Sequence, residues 1–195
     1  MKQTDDQTYI NRVVNGEPSY FSYLVNRYKD MAYTIALKIL KNQEDAEDSA
    51  QESFIKAYQQ IRTYQGNAKF STWLYTIVYR TSISKLQKNK VLTFAIDDEI
   101  DEEFVYDYSV TQLEQLQVNE QSKFVREAIG KLPEAEALLI TLFYMNENSI
   151  KEIEDITGMT ASNIKVKLFR ARKILEKELQ FLMWERVKCI VTNSR

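Results

Sequence analysis

Apolar residues recur along most of this chain at intervals of three and four, the spacing of a helix with one buried face. Between residues 19 and 41 they are Phe21, Leu24, Tyr28, Ala32, Ile35 and Ile39, which predicts one long amphipathic helix. A second stripe, Ala50, Phe54, Ala57 and Ile61, predicts a helix from about 43 to 61. Asn42 is its cap, and Asp45 three residues on makes a variant of the capping box. After a break at Gly66, Ser71 or Thr72 can cap a third helix running to about Lys88. Leu74, Ile77, Val78 and Thr81 give this helix a core face, while Trp73, Thr76, Arg80, Ile83 and Gln87 form another that needs a partner. Near the C-terminus, Ile150, Ile153 and Ile156 pattern a short helix and Gly158 supplies a turn. Thr160 or Ser162 then caps a helix holding Ile164, Leu168, Ala171 and Leu175, so the segment reads as a helix-turn-helix.

Composition agrees with the pattern. Four glycines and two prolines in 195 residues are too few for the tight turns of a sandwich or barrel, so the class is all-α. The net charge of -2 conceals an uneven distribution: no Lys or Arg occurs from Val91 to Ser122, and seven acids fall between Asp97 and Asp107. Such a block rarely enters a packed core and usually serves as a solvated linker. The expected organisation is therefore a helical bundle over 1-90, an acidic linker over 91-121 and a helix-turn-helix domain over 122-188.

Several functions are argued against by what the sequence lacks. The opening MKQTDDQTYI has no apolar signal core and no later run reaches the length of a bilayer span, so a cytoplasmic protein without membrane insertion is expected. Cys189 is the only cysteine, and histidine is absent. Disulfides, thiolate metal clusters and histidine-based catalysis are thereby removed. The glycines are isolated, so no phosphate-cradling loop is present. The expectation is a protein without catalytic site, metal or cofactor.

Three constellations remain. The acids Asp45, Asp48 and Glu52 share one helix face, about half a turn from the buried stripe. The helix dipole accounts for acids in the first turn, but Glu52 lies beyond it. Next, Tyr64, Phe70, Trp73 and Arg80 stand among Lys69, Lys85 and Lys88. Aromatics interleaved with cations suit unpaired nucleic acid, because bases stack on rings at about 1 to 3 kcal/mol each while cations meet phosphates; the same rings also suit a bundle core. Finally, the second helix of the helix-turn-helix carries Lys165, Lys167, Arg170, Arg172, Lys173 and Lys177. A major groove admits such a basic helix, and a solvated surface or a protein groove would also suit it.

Taken together, these segments resemble a small sigma factor of bacterial RNA polymerase, from the extracytoplasmic-function branch of the sigma-70 family. DAEDSAQESF resembles region 2.2, YQGNAKFSTWLYTIVYRTSISKL resembles regions 2.3 and 2.4, and AIGKLPEAEALL with the helix-turn-helix resembles region 4. The resemblance implies two helical domains, a promoter-recognition function and core RNA polymerase as partner, through the clamp helices of its β′ subunit and through its β subunit. It assigns polymerase binding to Asp48, Gln51 and Glu52, beside Asp45. It assigns the -10 element of promoter DNA to Tyr64, Asn67, Lys69, Phe70, Ser71, Trp73, Arg80 and Lys85. The -35 element falls to Ser162, Asn163, Lys165, Val166, Lys167, Arg170 and Arg172. An anti-sigma factor is the implied negative partner. The chain departs from the family pattern at Ala137, where an arginine is common, at Glu147, where a glycine is usual, at Glu154, usually alanine, and at Thr157, usually leucine. The alternatives are a stand-alone regulator with a helix-turn-helix, which would not need the acidic ridge, and a helical adaptor without DNA contact, which the basic recognition helix and its capped turn speak against.

Overall fold

The computed structural model describes residues 6-94, 125 and 127-192, with side chains described up to 89 and again up to 180. Most of the acidic linker, 95-121, lies outside the described residues, as does the side chain of Cys189. In order the elements are α1 (Asp6–Val14), a 3-10 turn (Pro18–Tyr20), α2 (Phe21–Leu40), α3 (Gln43–Gln60), a 3-10 turn (Ile61–Thr63), α4 (Phe70–Phe94), α5 (Glu134–Ile140) continuing into a π turn (Thr141–Met145), α6 (Ile150–Thr157) and α7 (Ala161–Thr192). No strand occurs among the described residues, and the all-α class holds.

The helix ends follow from local chemistry. Lys41 closes α2 in the left-handed conformation at φ 57°, its N–H reaching the Leu37 carbonyl at 3.0 Å. Asn42 then turns to extended backbone, and its Oδ1 accepts the Asp45 N–H at 2.9 Å, starting α3. Only this half of the expected capping box forms, because the Asp45 carboxylate goes instead to Lys85 at 2.9 Å and Asn89 at 3.1 Å. The start of α4 also differs from expectation. Phe70 is already helical and the Trp73 N–H bonds the Lys69 carbonyl at 3.2 Å, so neither Ser71 nor Thr72 is the cap. Thr72 is instead buried, and the helix continues past Lys88 to Phe94.

Helices α2, α3 and α4 form a bundle around Leu24, Ile35, Leu74 and Val78, with α1 closing one side through Ile10 and Val13. The predicted stripe of α3 is buried throughout, and its small residues Ala46, Ser49, Ala50, Ser53 and Ala57 let the neighbouring backbones approach. The two buried serines are satisfied: the hydroxyls of Ser49 and Ser82 meet at 2.9 Å, and Ser53 donates to the Ser49 carbonyl at 2.6 Å. The second domain packs Leu139, Leu142, Ile153, Ile156, Ile164, Leu168 and Ala171 together. Its helix-turn-helix forms as patterned. Gly158 ends α6 at φ 72°, a conformation that needs no Cβ, and the Thr160 Oγ1 faces the Asn163 N–H at 3.4 Å. Glu147, at the position where the family pattern has glycine, is itself left-handed at φ 53°.

The two domains touch. Helix α6 lies against α4, and α5 approaches α2 where Lys41 pairs with Glu134. Across the first junction the Thr72 hydroxyl donates to Glu152 at 3.3 Å, Tyr75 to the Asn146 carbonyl oxygen of its side chain at 3.5 Å, and Thr76 to the Asp155 backbone carbonyl at 3.4 Å. The face of α4 predicted to need a partner thus finds part of one within the chain.

Candidate partner and nucleic-acid interfaces

The acidic ridge is present on α3, and it is graded. Asp48, Gln51 and Glu52 are exposed, with the Asp48 side chain at 74%. Asp45 is half-buried and serves the fold more than the surface, since it draws Lys85 and Asn89 of α4 onto the start of α3. Glu52 pairs with Lys56 one turn on at 2.7 Å. Continuing along the same face, Ile55, Tyr58 and Gln59 follow Gln51 and Glu52 at helical spacing, and Ile55 stays 58% exposed. With Phe21, Val25 and Phe54 these residues line an open apolar groove. Sequence reasoning missed this extension. Its signal was two apolar residues out of step with the buried stripe Ala50, Phe54, Ala57 and Ile61.

The second constellation divides into supports and presented groups. Phe70 is 2% exposed, at the centre of a cluster in which its ring lies 5.6 Å from each of Tyr28, Tyr64 and Trp73. It therefore braces Tyr64 and Trp73 and offers no face of its own, contrary to its place among the candidate DNA contacts. Tyr64 closes the loop by donating to the Ala68 carbonyl at 2.6 Å, and Gly66 turns it at φ 74°. Asn67, Lys69 and Arg80 are exposed, while Ser71 and Trp73 are half-buried. Lys85 is also reassigned: it is held by Asp45 and by Asp48 at 3.2 Å. Desolvation works against its ammonium, but hydrogen bonds and charge from these two aspartates outweigh that and raise its pKa above the ordinary value.

In the helix-turn-helix, Ser162, Asn163, Lys165, Val166 and Arg170 are exposed along α7. Two of the expected DNA contacts are engaged internally. Lys167 pairs at 3.2 Å with Glu136 of α5, which is 7% exposed, and Arg172 donates at 2.7 Å to the Tyr144 hydroxyl. Glu154, whose fit between the helices departs from the family pattern, is accommodated by pointing along the turn, where it accepts the Ala161 N–H at 2.6 Å.

Glu152 joins the two domains. Its carboxylate closes a capping box with Ser149 at the start of α6, and it pairs with Lys69 at 3.0 Å while accepting from Thr72. Burial alone would raise its pKa, but hydrogen bonds from Ser149 and Lys69 and the Lys69 charge outweigh burial and lower it. A carboxylate with a lowered folded pKa stabilises the fold above its unfolded value and ceases to as pH falls through the folded one. Glu152→Gln keeps the capping geometry but loses the charge that faces Lys69, and is thus expected to lower stability at pH 7 by about 1 kcal/mol, with the gap from the parent closing below about pH 4. Thermal melts across pH check this. A gap that stayed constant would exclude an ionised Glu152 as the cause.

Comparison with known proteins decides what carries these surfaces. Residues 24–91 match the family described as Sigma-70 region 2, and residues 125–175 match Sigma-70, region 4. Over 184 residues the chain is 33% identical to the ECF RNA polymerase sigma factor SigW of Bacillus subtilis, covering 89% of this chain and 96% of that one. The chain belongs to the extracytoplasmic-function sigma factors. As a sigma factor it acts with RNA polymerase in promoter recognition and transcription initiation. It is also 29% identical over 188 residues to the ECF RNA polymerase sigma-E factor of Haemophilus influenzae, covering 93% of this sigma factor and 99% of that one. The fold agrees with two solved structures. The sigma factor RpoE in complex with the anti-sigma factor NepR from Bartonella quintana has a TM-score of 0.61 at 19% identity, over 82% of this chain and 96% of that one. CnrH in complex with the cytosolic domain of CnrY has a TM-score of 0.59 at 18% identity, over 90% and 97%. Among the described residues no helix is long and apolar enough to cross a membrane.

Proposed function

We propose that this sigma factor divides its work between the three segments 1-90, 91-121 and 122-188. The first binds core polymerase and the -10 element, the second connects, and the third reads the -35 element. Asp48, Gln51 and Glu52 meet the clamp helices of the β′ subunit, and Ile55 and Tyr58 add an apolar end to that contact. The observation that carries this is the exposure of Asp48, Gln51 and Glu52 opposite the buried stripe of α3, where the fold itself makes little use of Gln51.

Tyr64, Asn67, Lys69, Ser71, Trp73 and Arg80 engage the non-template strand at the -10 element, with Phe70 bracing the rings. Ser162, Asn163, Lys165, Val166 and Arg170 of α7 enter the major groove at the -35 element, with Lys167 and Arg172 joining only if Glu136 and Tyr144 release them. The polymerase makes RNA and the sigma factor contributes no catalytic group. Its place is the cytoplasm with the polymerase. An anti-sigma factor is its negative partner, a reading supported by the NepR complex of the structurally similar RpoE.

The test is run-off transcription with sigma-free core polymerase on genomic promoter fragments. Defined start sites that depend on this chain are expected. The absence of both transcript and complex with core, under conditions where a control sigma factor works, would overturn the assignment.

A further inference from the structure

Glu154 stands in the last turn of α6, and its side chain crosses the turn to the first residue of α7. Its Oε1 accepts the Ala161 N–H at 2.6 Å, one of the donors that a helix start leaves without an intrahelical acceptor. Nearby donors are met by neutral groups: the Met159 N–H by Thr157 Oγ1 at 3.2 Å and the Asn163 N–H by Thr160 Oγ1 at 3.4 Å. Of these three acceptors only Glu154 carries a charge. A hydrogen bond to a charged acceptor is about twice as strong as a neutral one, so Glu154 fixes the start of α7 against α6 more firmly than a threonine would.

The charge has a second effect. The start of a recognition helix is the end directed at base edges and the flanking phosphates, and its dipole attracts anions. A carboxylate seated there offsets that attraction and repels phosphates within a Debye length, about 8 to 10 Å at moderate salt. Glu136 works in the same direction by occupying Lys167 at 3.2 Å. The base-facing positions Ser162, Asn163 and Val166 are left exposed. Phosphate attraction favours DNA of any sequence, whereas base contacts favour one, so this arrangement weakens the first and keeps the geometry needed for the second.

We propose that Glu154 is a positioning residue of the -35 reader that also lowers the affinity of the recognition helix for duplex DNA of any sequence. Promoter binding by region 4 then depends on simultaneous engagement of the other module, as expected for two weak sites on one chain. The proposal rests on the reading that α7 binds the -35 duplex.

Glu154→Gln keeps an oxygen that can accept the Ala161 N–H and removes the charge; Glu154→Ala removes both. Holoenzyme is assembled from each full-length chain and core polymerase, and binding is measured over a range of salt. The probes are a promoter fragment mapped by run-off transcription and the same fragment with its -35 element scrambled. With Glu154→Gln, both fragments are expected to bind about two- to fivefold more tightly at low salt, from relief of repulsion by a few phosphates. The preference between them is retained and the gain disappears at high salt. With Glu154→Ala the preference shrinks, because the helix start is no longer fixed. A Glu154→Gln holoenzyme with parental affinity for both fragments at every salt concentration would overturn the proposal, even if its melting temperature had shifted. If the parent holoenzyme itself fails to distinguish intact from scrambled fragment, the underlying reading of α7 falls, and the proposal with it.

Discussion

Replacing Asp48 and Glu52 together by lysine is expected to abolish promoter-directed transcription while leaving the chain folded. Both side chains are mostly exposed, and their ion pairs, Asp48 with Lys85 and Glu52 with Lys56, are of the surface kind that contributes about 0 to 1 kcal/mol to stability. At an interface the sign of a charge matters more. Losing a charge that meets its partner in a desolvated contact costs about 2 to 5 kcal/mol, so two such losses suppress the complex by at least about a thousandfold. The measurement is retention of core polymerase by the tagged variant, beside run-off transcription and a thermal melt of the free chain. A folded variant that still captured core would remove the ridge from the polymerase contact. A melt lowered by several degrees would show that the pairs with Lys85 and Lys56 matter to the fold, and the milder Gln51→Ala would then carry the test, since Gln51 is exposed.

Much of this arrangement was legible beforehand because helices bury a stripe with a fixed period. Leu24, Ala32, Ile35 and Ile39 of α2 are buried as their spacing required, and so are Ile153, Ile156, Ile164 and Leu168 around the Gly158 turn. What periodicity does not carry is the partner of a charge. Lys85 and Lys167 were assigned to DNA because each is a cation on a helix among aromatics or other cations. Their acceptors Asp45, Asp48 and Glu136 lie 31 to 40 residues away and meet them only through folding. Phe70 shows the same limit for aromatics: its sequence surroundings suit a stacking platform as well as a core, and the choice depends on Tyr28 of α2, which no local pattern brings to it. The start of α4 was misplaced for a different reason. Ser71 and Thr72 have the chemistry of caps, but the chain is already helical at Phe70, and burial of Thr72 against α6 explains that threonine better than capping does.

The packing of α6 on α4 leads to the second large expectation: a chain locked in this arrangement binds core polymerase and fails to open promoters. Lys69, just before α4, and Thr72 and Thr76 on it are engaged by Glu152 and the Asp155 carbonyl, beside Trp73 and Arg80 of the same helix. If Trp73 and Arg80 engage the -10 element as proposed, α6 and a DNA strand compete for this face, and the two domains are expected to part before that element is engaged. The energies permit it. Each junction hydrogen bond contributes about 1 kcal/mol net, whereas a nanomolar partner supplies about 12 kcal/mol. The ridge on α3 is exposed in the closed form, so core binding can precede parting. Thr76→Cys with Asp155→Cys, in a background where Cys189→Ser removes the only native thiol, provides a reversible lock once the pair is bridged by a short thiol cross-linker with a cleavable disulfide. The cross-linked protein should still be retained by core polymerase, should lose promoter opening in proportion to the cross-linked fraction, and should recover it on reduction. Permanganate reactivity of unpaired thymines at the -10 element reads the opening directly. Equal reactivity with the lock closed and reduced would show that the face of α4 turned to α6 takes no part in strand opening, and the -10 contacts would then have to be sought on the loop from Tyr64 to Lys69.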